Sequence, residues 1–576
     1  TQMNLFPLHC LDYYKTGHQE QYPQGTQTVY GNFTPRSDKL ANVLPDFDHK
    51  VVNFGLQGFI KEVLLDLWNR EFFDKPKVEV LTRYQRRMDN ALGAGAISVD
   101  RIAALHDLGY LPIHIKALPE GARVNMKVPL YTIVNTHPDF YWLTNFLETH
   151  ASANIWKSVT TATTAYEYKR LLTEYAKKTG SPLDFVMWQG HDFSARGQAG
   201  MEDAARSGAG HLVSFFGSDT VSAFDYLEDY YGAGSTFIGG SVPATEHSVM
   251  CAGGSDDELG TIQRIIRDVY PSGVVSVVSD TWDFWDTITT KAEALKEVIL
   301  NRKPDALGLA KTVFRPDSGD PVKIICGEAT RTFKTLKEAA DSINDEHFEQ
   351  ASEDCEGSHN CGNDRYSTLV KVGEEYYNMV TLFEYNRHDK TYYYIDNYSE
   401  NAGVTVATKI EPSPEVKGAV ECLWDIFGGT ITPTGHKLLN ERVGLIYGDS
   451  ITLERAQAIL SGLEAKGFAS ANVVFGVGSF TYQYVTRDTF GMATKATYAV
   501  VKAEERELFK DPKTDKGTKK SAKGLLRVEK EGSDYVLYDQ QTYVGELQGE
   551  LTTVFKDGKL IVDQTLEEIR NRLNSN

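Results

Sequence analysis

Six apolar runs along the chain each end in the same kind of short polar signature. They are DFVMWQGHDF (184–193), HLVSFFGSD (211–219), VVSVVSD (274–280), KTVFRPDSGD (311–320), VGLIYGDS (443–450) and NVVFGVGSF (472–480). Helical patterns sit between several of them, as in SITLERAQAILSGLEAKG (450–467). Apolar run, polar loop, helix is the pattern of parallel strands joined by helical crossovers. It predicts a barrel-like parallel α/β sheet with its function at the C-terminal ends of the strands. A doubly wound open sheet is the competing arrangement.

The flanks do not share this rhythm. Residues 1–150 mix short strands and helices. KVPLYTIVNT (127–136) reads as a strand entering a turn, and 139–180 reads as helices with an aromatic face and a basic end. The rhythm also breaks between 325 and 417. Seven acids crowd residues 341–356, which reads as a solvated face or a loop, and the tyrosine-rich stretch 376–398 alternates like a β-hairpin around RHDK. After Lys495 come more strands, a basic loop (510–524) and a terminal helix. The expected division is therefore 1–150 with 496–576 as a mixed α/β flanking domain, 151–324 with 418–495 as the catalytic barrel, and 325–417 as an insertion.

The chain has 576 residues, enough for two or more cores. No run of eighteen apolar residues is present, and TQMNLFPLHC lacks the basic start and apolar stretch of a secretory signal. Six cysteines do not make a disulfide framework, so a reducing cytoplasm is expected. CEGSHNC (355–361) offers Cys355, His359 and Cys361, too few ligands and the wrong spacing for a usual zinc site. A formal charge of −19 argues against broad nucleic-acid binding, since the overall field repels phosphate. A small phosphorylated ligand held by local Arg and Lys remains compatible with it.

Five acids stand at the ends of the apolar runs: Asp192, Asp219, Asp280, Asp317 and Asp449. One such acid is ordinarily a cap or a turn. Five on one rim repel one another unless a cation joins them, and Mg2+ bridging substrate phosphates, with Arg, answers that. RPDSGD (315–320) packs Arg315, two acids, a serine and a glycine together, which suits a phosphorylated sugar; a Pro–Asp turn is the plain alternative. Gly476, Gly478 and Ser479 can turn backbone N–H groups toward phosphate. Neither a P-loop nor a dinucleotide fingerprint is present. In WQGHDFSARG (188–197) the ring of Phe193 lies three residues before Arg196, between Gly190 and Gly197.

Longer motifs carry a resemblance. LDYYKTGHQEQYP (11–23), NFGLQ (53–57), YWLTNFLET (141–149), HDFSARG (191–197), HLVSFFGSDT (211–220), SVPATEHS (241–248), VVSD (277–280), RPDSGDP (315–321), YGDS (447–450), TRD (486–488) and FKDP (509–512) follow one another in the order found in the nicotinamide phosphoribosyltransferases of the type II phosphoribosyltransferase family. The chain resembles that family throughout, except for about ninety residues near 325–417. The resemblance implies an irregular α/β barrel with a flanking β-rich domain, and a homodimer with shared active sites. It implies nicotinamide, phosphoribosyl pyrophosphate and ATP as partners, with Mg2+ held mainly through substrate phosphates rather than by the chain. Phe193 and the partner's Tyr14 would stack on the pyridine ring, with Asp12 among the substrate-binding residues. Asp219 would take the carboxamide N–H, with Arg315 near its oxygen. Arg196 would face the ribosyl phosphate, and Asp317, Gly448, Asp449, Gly478 and Ser479 would hold ribose and phosphate. Arg487 and Lys495, with Arg36 and Lys510 from the partner, would hold pyrophosphate. His247 would accept phosphate from ATP. Ser479, Ala493, Ser194 and Ala195 depart from the family's vertebrate-type residues.

The chemistry of the residues agrees with this. A pyridine nitrogen attacks with its own lone pair, so the reaction asks for position and charge compensation rather than a general base. Asp219 favours a neutral carboxamide over nicotinate, which would bring a second negative charge. A phosphate-accepting histidine needs an acid on its other ring nitrogen. Asp280 is a better candidate for that acid than the adjacent Glu246. Nicotinate phosphoribosyl transfer and a non-catalytic binding protein on the same scaffold are the alternatives.

Overall fold

The computed structural model describes residues 4–329, 331–356, 364–386, 388, 391–394, 405–514 and 521–575. The chain divides into two units. The first comprises Thr1–Tyr168, Asp192–Gly240 and Ser479–Asn576, and the second comprises Lys169–His191 and Ser241–Gly478.

The first unit is built on a seven-stranded antiparallel sheet. Its order is Glu504–Glu507, Met492–Val501, Thr26–Pro35, Tyr131–Asn135, Ile113–Ala117, Thr552–Lys556 and Lys559–Leu560. Phe33, Tyr131, Ile133, Trp142 and Phe146 share its main core. Thr26–Pro35 is buried along most of its length because it is a central strand with both faces covered. In its pairing with Met492–Val501, Asn32 lies opposite Lys495 and Pro35 opposite Met492. That register brings Arg36 and Lys495 to the same end of the sheet. Two helices, Met201–Leu212 and Val221–Tyr230, pack together in the same unit around the two-residue strand Gly217–Ser218. The small residues Ser207, Gly208, Ala209 and Gly210 make the close packing possible. A Cβ at Gly208 would stand 2.8 Å from the Ala223 Cβ and 3.0 Å from the Thr220 Cγ2.

The second unit holds a parallel sheet in the order Val473–Val477, Val443–Tyr447, Thr312–Arg315, Val275–Val278. Strands buried on both faces read as continuous apolar runs, which is why the runs were legible in the sequence. The fold is α/β, an open, curled parallel sheet with flanking β-rich sheets. Two runs behave differently from expectation. Leu183–Trp188 is a 3-10 segment in which only Val186 is buried, and the strand is only Gly190–Asp192. Likewise His211 and Leu212 close a helix, and only Gly217–Ser218 is strand.

Segment 325–417 carries its own five-stranded sheet, crossed by the helix Leu336–Glu356. The acidic run is therefore helical rather than a loop. Ala340, Ile343, His347 and Ala351 recur at helical spacing and are buried, leaving most of the acids on the solvated face. The hairpin is present, with Asn386 opposite Thr391. His359 and Cys361, the side chain of Cys355, and residues 515–520 of the basic loop lie outside the described residues. A buried charge node ties this sheet to neighbouring helices. Lys371 donates to Glu421 Oε1 at 2.6 Å, Tyr376 donates to the same carboxylate, and Lys466 donates to the carbonyls of Cys326 and Lys417. Burial pulls Lys466 down to about 8. Among the described residues no helix is long and apolar enough to cross a membrane.

Candidate active site

In the second unit, the loops after adjacent parallel strands bring the expected residues together. Val278 pairs in register with Arg315, so Asp280 and Asp317 each emerge two residues further on. The segment before His247 is pinned to the same edge, because Thr245 N–H donates to the Ser276 carbonyl and Thr245 Oγ1 accepts from Val278 N–H. His247 Nε2 then lies 2.9 Å from Asp280 Oδ1, with side-chain exposures of 46% and 8%. The other oxygen of Asp280 accepts from Ser318 Oγ at 2.5 Å. The carboxylate expected to face His247 is the one that does. Arg315 donates to the Thr245 carbonyl at 2.9 Å, while its Nε is buried without a hydrogen-bond partner.

Gly448 and Asp449 follow the strand Val443–Tyr447, and Tyr447 OH donates to the Gly319 carbonyl at 2.9 Å, joining the YGDS and RPDSGD loops. Ser450 takes a left-handed backbone, φ 55°, which is costly for a residue with a Cβ and sits next to the exposed Asp449. Burial raises the Asp317 carboxyl above the ordinary range; Arg315 opposes that, Asp280 adds to it, His247 opposes it and Asp449 adds to it. These five groups therefore feel one another. Beyond the strand Val473–Val477, Gly478 has nothing within 4 Å of the place a Cβ would take.

In the first unit, Phe193 is half-buried and Arg196 is exposed on a short 3-10 turn. Gly197 is required there, because a Cβ would stand 2.5 Å from the Ser479 Cβ. Asp219 is exposed directly after Gly217–Ser218, and its N–H donates to the Asp192 carbonyl at 3.0 Å. Asp192 itself is not a rim acid. It is fully buried, with its oxygens taken by Ser194 and Thr220, because a carboxylate there closes a turn and joins two loops. Tyr14 is 64% exposed, with Lys15 Nζ 5.3 Å from its ring, and Asp12 accepts from Thr149 Oγ1 at 2.8 Å.

Arg36, Arg487, Lys495 and Lys510 are all exposed. Lys495 is lowered first by burial, then by Arg36, with Glu148 opposing and Lys510 and Arg487 adding. Arg36 is held by its Nε donating to the Gly491 carbonyl at 2.9 Å. The sequence expectation divided these cations between two subunits. Within this chain the pairing of Thr26–Pro35 with Met492–Val501 sets Arg36 near Lys495, and Lys510 and Arg487 are close enough to lower Lys495 as well. Thr245, Ser318 and Thr220 were not singled out by the sequence reading. Their hydroxyls act through acids and strands distant in sequence, and nothing local marks their partners, although Ser318 lies in the RPDSGD motif.

The acid rim offers oxygen donors of the kind Mg2+ takes. Among the described residues no group of three or more His, Cys, Asp or Glu is placed to hold a metal by itself. Such a rim suits Mg2+ that carries most of its ligands on a bound diphosphate rather than on the chain.

Residues 188–353 and 380–559 match the nicotinate phosphoribosyltransferase (NAPRTase) family. A nicotinamide phosphoribosyltransferase of Acinetobacter baylyi is 54% identical over 567 residues, covering 98% of this chain and 97% of that protein. One from Mycoplasma pneumoniae is 28% identical over 558 residues, covering 91% and 96%. The nicotinate-nucleotide pyrophosphorylase structure from Pyrococcus furiosus superposes with a TM-score of 0.52 at 11% identity, covering 100% of this chain and 97% of that one, a likeness of fold alone.

Proposed function

This chain belongs to the nicotinate phosphoribosyltransferase family, and from that premise we propose that it transfers the 5-phosphoribosyl group of phosphoribosyl pyrophosphate to nicotinamide. It is a pentosyltransferase of NAD salvage. The choice of nicotinamide rests on one observation above others: an exposed carboxylate, Asp219, is tied by its backbone to the residue that precedes the ring of Phe193. A carboxamide donates an N–H to that carboxylate. Nicotinate would set a second negative charge against it.

The ring nitrogen attacks C1 with its lone pair, the N–C1 bond forms, and the C1–O bond to pyrophosphate breaks. No proton needs removal. Phe193 walls the ring slot, and the exposed Tyr14 of a second copy closes it, which makes the working form a homodimer. Arg36, Arg487, Lys495 and Lys510 meet the charge that grows on the leaving diphosphate. Because these four are neighbours on one chain, the pair expected from the partner brings the other two with it. Mg2+ supplies further neutralisation when it arrives with the diphosphate. Asp317 and Asp449 face the ribose and tolerate positive charge at C1, Arg315 lies near the carboxamide oxygen, and Arg196 with Gly478 and Ser479 takes the 5-phosphate.

His247 couples ATP to this reaction. Asp280 accepts the Nε2–H, so the Nδ1 lone pair is the one presented. It attacks the terminal phosphorus of ATP, forming N–P as the bridging P–O bond breaks and ADP leaves. The experiment incubates the protein with nicotinamide, phosphoribosyl pyrophosphate and Mg2+, with and without terminally labelled ATP. Nicotinamide mononucleotide should form in both, faster with ATP, and acid-labile label should appear on wild type but not on His247→Ala. Equal labelling of the two proteins would overturn the histidine's role, and absence of product would overturn the reaction.

A further inference from the structure

The two loops that carry Phe193 and Asp219 are joined by one buried carboxylate. Asp192 Oδ1 accepts from Ser194 N–H at 2.8 Å and from Ser194 O–H at 2.6 Å. Its Oδ2 accepts from Thr220 O–H at 2.8 Å, and its carbonyl accepts from Asp219 N–H at 3.0 Å. Asp192, Ser194 and Thr220 are all buried. The residue after Phe193 and the residue after Asp219 therefore converge on the side chain of the residue before Phe193.

The Oδ1 bonds alone would be an ordinary turn. The Oδ2 bond reaches 28 residues along the chain to the other loop, and a turn does not require it. The node is also braced from behind. Gln198 Nε2 donates to Ser194 Oγ at 2.8 Å, and Gly208 lets its helix approach so closely that a Cβ would stand 3.2 Å from Asp192 Oδ2. With both oxygens engaged in a dry place, neither loop can shift without breaking a charge-assisted hydrogen bond.

We propose that Asp192, with Thr220 as its partner, is a positioning residue that sets the distance between the ring wall Phe193 and the amide reader Asp219. It acts on the base and not on the phosphoribosyl donor. The inference rests on the nicotinamide reading above and adds the device that fixes its geometry.

Two substitutions at Thr220 separate the hydroxyl from its packing. Thr220→Val keeps the shape and removes the donor; Thr220→Ser keeps the donor and removes a methyl. In the full-length enzyme, Thr220→Val should raise the KM for nicotinamide about tenfold while the KM for phosphoribosyl pyrophosphate stays unchanged. Thr220→Ser should restore the wild-type value. Ser194→Ala, which leaves the backbone bond to Oδ1 in place, should raise the same KM by about threefold and serves if the valine variant does not fold. If Thr220→Val matches wild type, if both KM values rise together, or if Thr220→Ser is the impaired variant, the positioning role is overturned while the nicotinamide reading stands. A wild type that makes no product from nicotinamide would overturn both.

Discussion

On the proposed reading, the difference between two substrates at Asp219 comes down to one functional group. A carboxamide gives this carboxylate a hydrogen; a carboxylate gives it only repulsion. Asp219→Asn removes that repulsion while keeping an acceptor oxygen, so the ratio of kcat/KM for nicotinamide over nicotinate should fall by about tenfold or more. An unchanged ratio would refute the role. Asp317 illustrates a different cost. Its carboxyl is raised mainly by burial, so the folded chain holds that proton more tightly than the unfolded chain does. Stability from this group is full below the ordinary carboxylate range and is lost as pH rises through the raised value. Asp317→Asn should therefore have a higher Tm than wild type at pH 7, with the gap closing as the pH falls, while turnover drops by about a hundredfold. Thermal unfolding across pH reads it; a gap independent of pH would contradict it. Asp192 shows where the sequence misled. It ends an apolar run like the other four acids, and only its burial separates a brace from a rim group.

The helix Met201–Leu212 works by what it lacks. Its small face allows Thr220 and Ala223 to approach, and Gly208→Ala would push on both. That substitution should cost about 1–3 kcal/mol of stability, whereas Gly234→Ala, where a Cβ meets nothing within 4 Å, should be tolerated. Equal melting temperatures for the two variants would count against the close-packing account. The parallel strands were legible because burial on both faces leaves uninterrupted Val, Ile and Leu. The stretches 183–188 and 211–216 are equally apolar but fold as a 3-10 turn and a helix end; apolar composition alone carries no period that tells them from strand. The acidic run at 341–356 hid its helix because its buried stripe is thin, two alanines, an isoleucine and a histidine among seven acids.

For the whole molecule, the proposed homodimer makes the nearness of Arg36, Arg487 and Lys510 to Lys495 testable: on that proposal one subunit would supply all four to a given site. Co-expressed, differently tagged Lys495→Ala and Asp317→Asn chains should each be inactive alone. Their purified mixed dimer should regain about half of wild-type activity, since one of its two sites receives no lesion. An inactive mixed dimer would mean that each site is completed within one chain. The family was legible from long motifs in order, and Asp280 was legible as the acid for His247; the loop geometry adds that Nε2 is the ring nitrogen that meets it. The central claim is that this chain selects a neutral pyridine carboxamide for phosphoribosyl transfer. The most direct test offers equimolar nicotinamide and nicotinate in one tube with limiting phosphoribosyl pyrophosphate and Mg2+, and weighs the two mononucleotides by mass spectrometry. The amide product should dominate by a factor of about a hundred or more; equal amounts, or an excess of the acid product, would contradict the account.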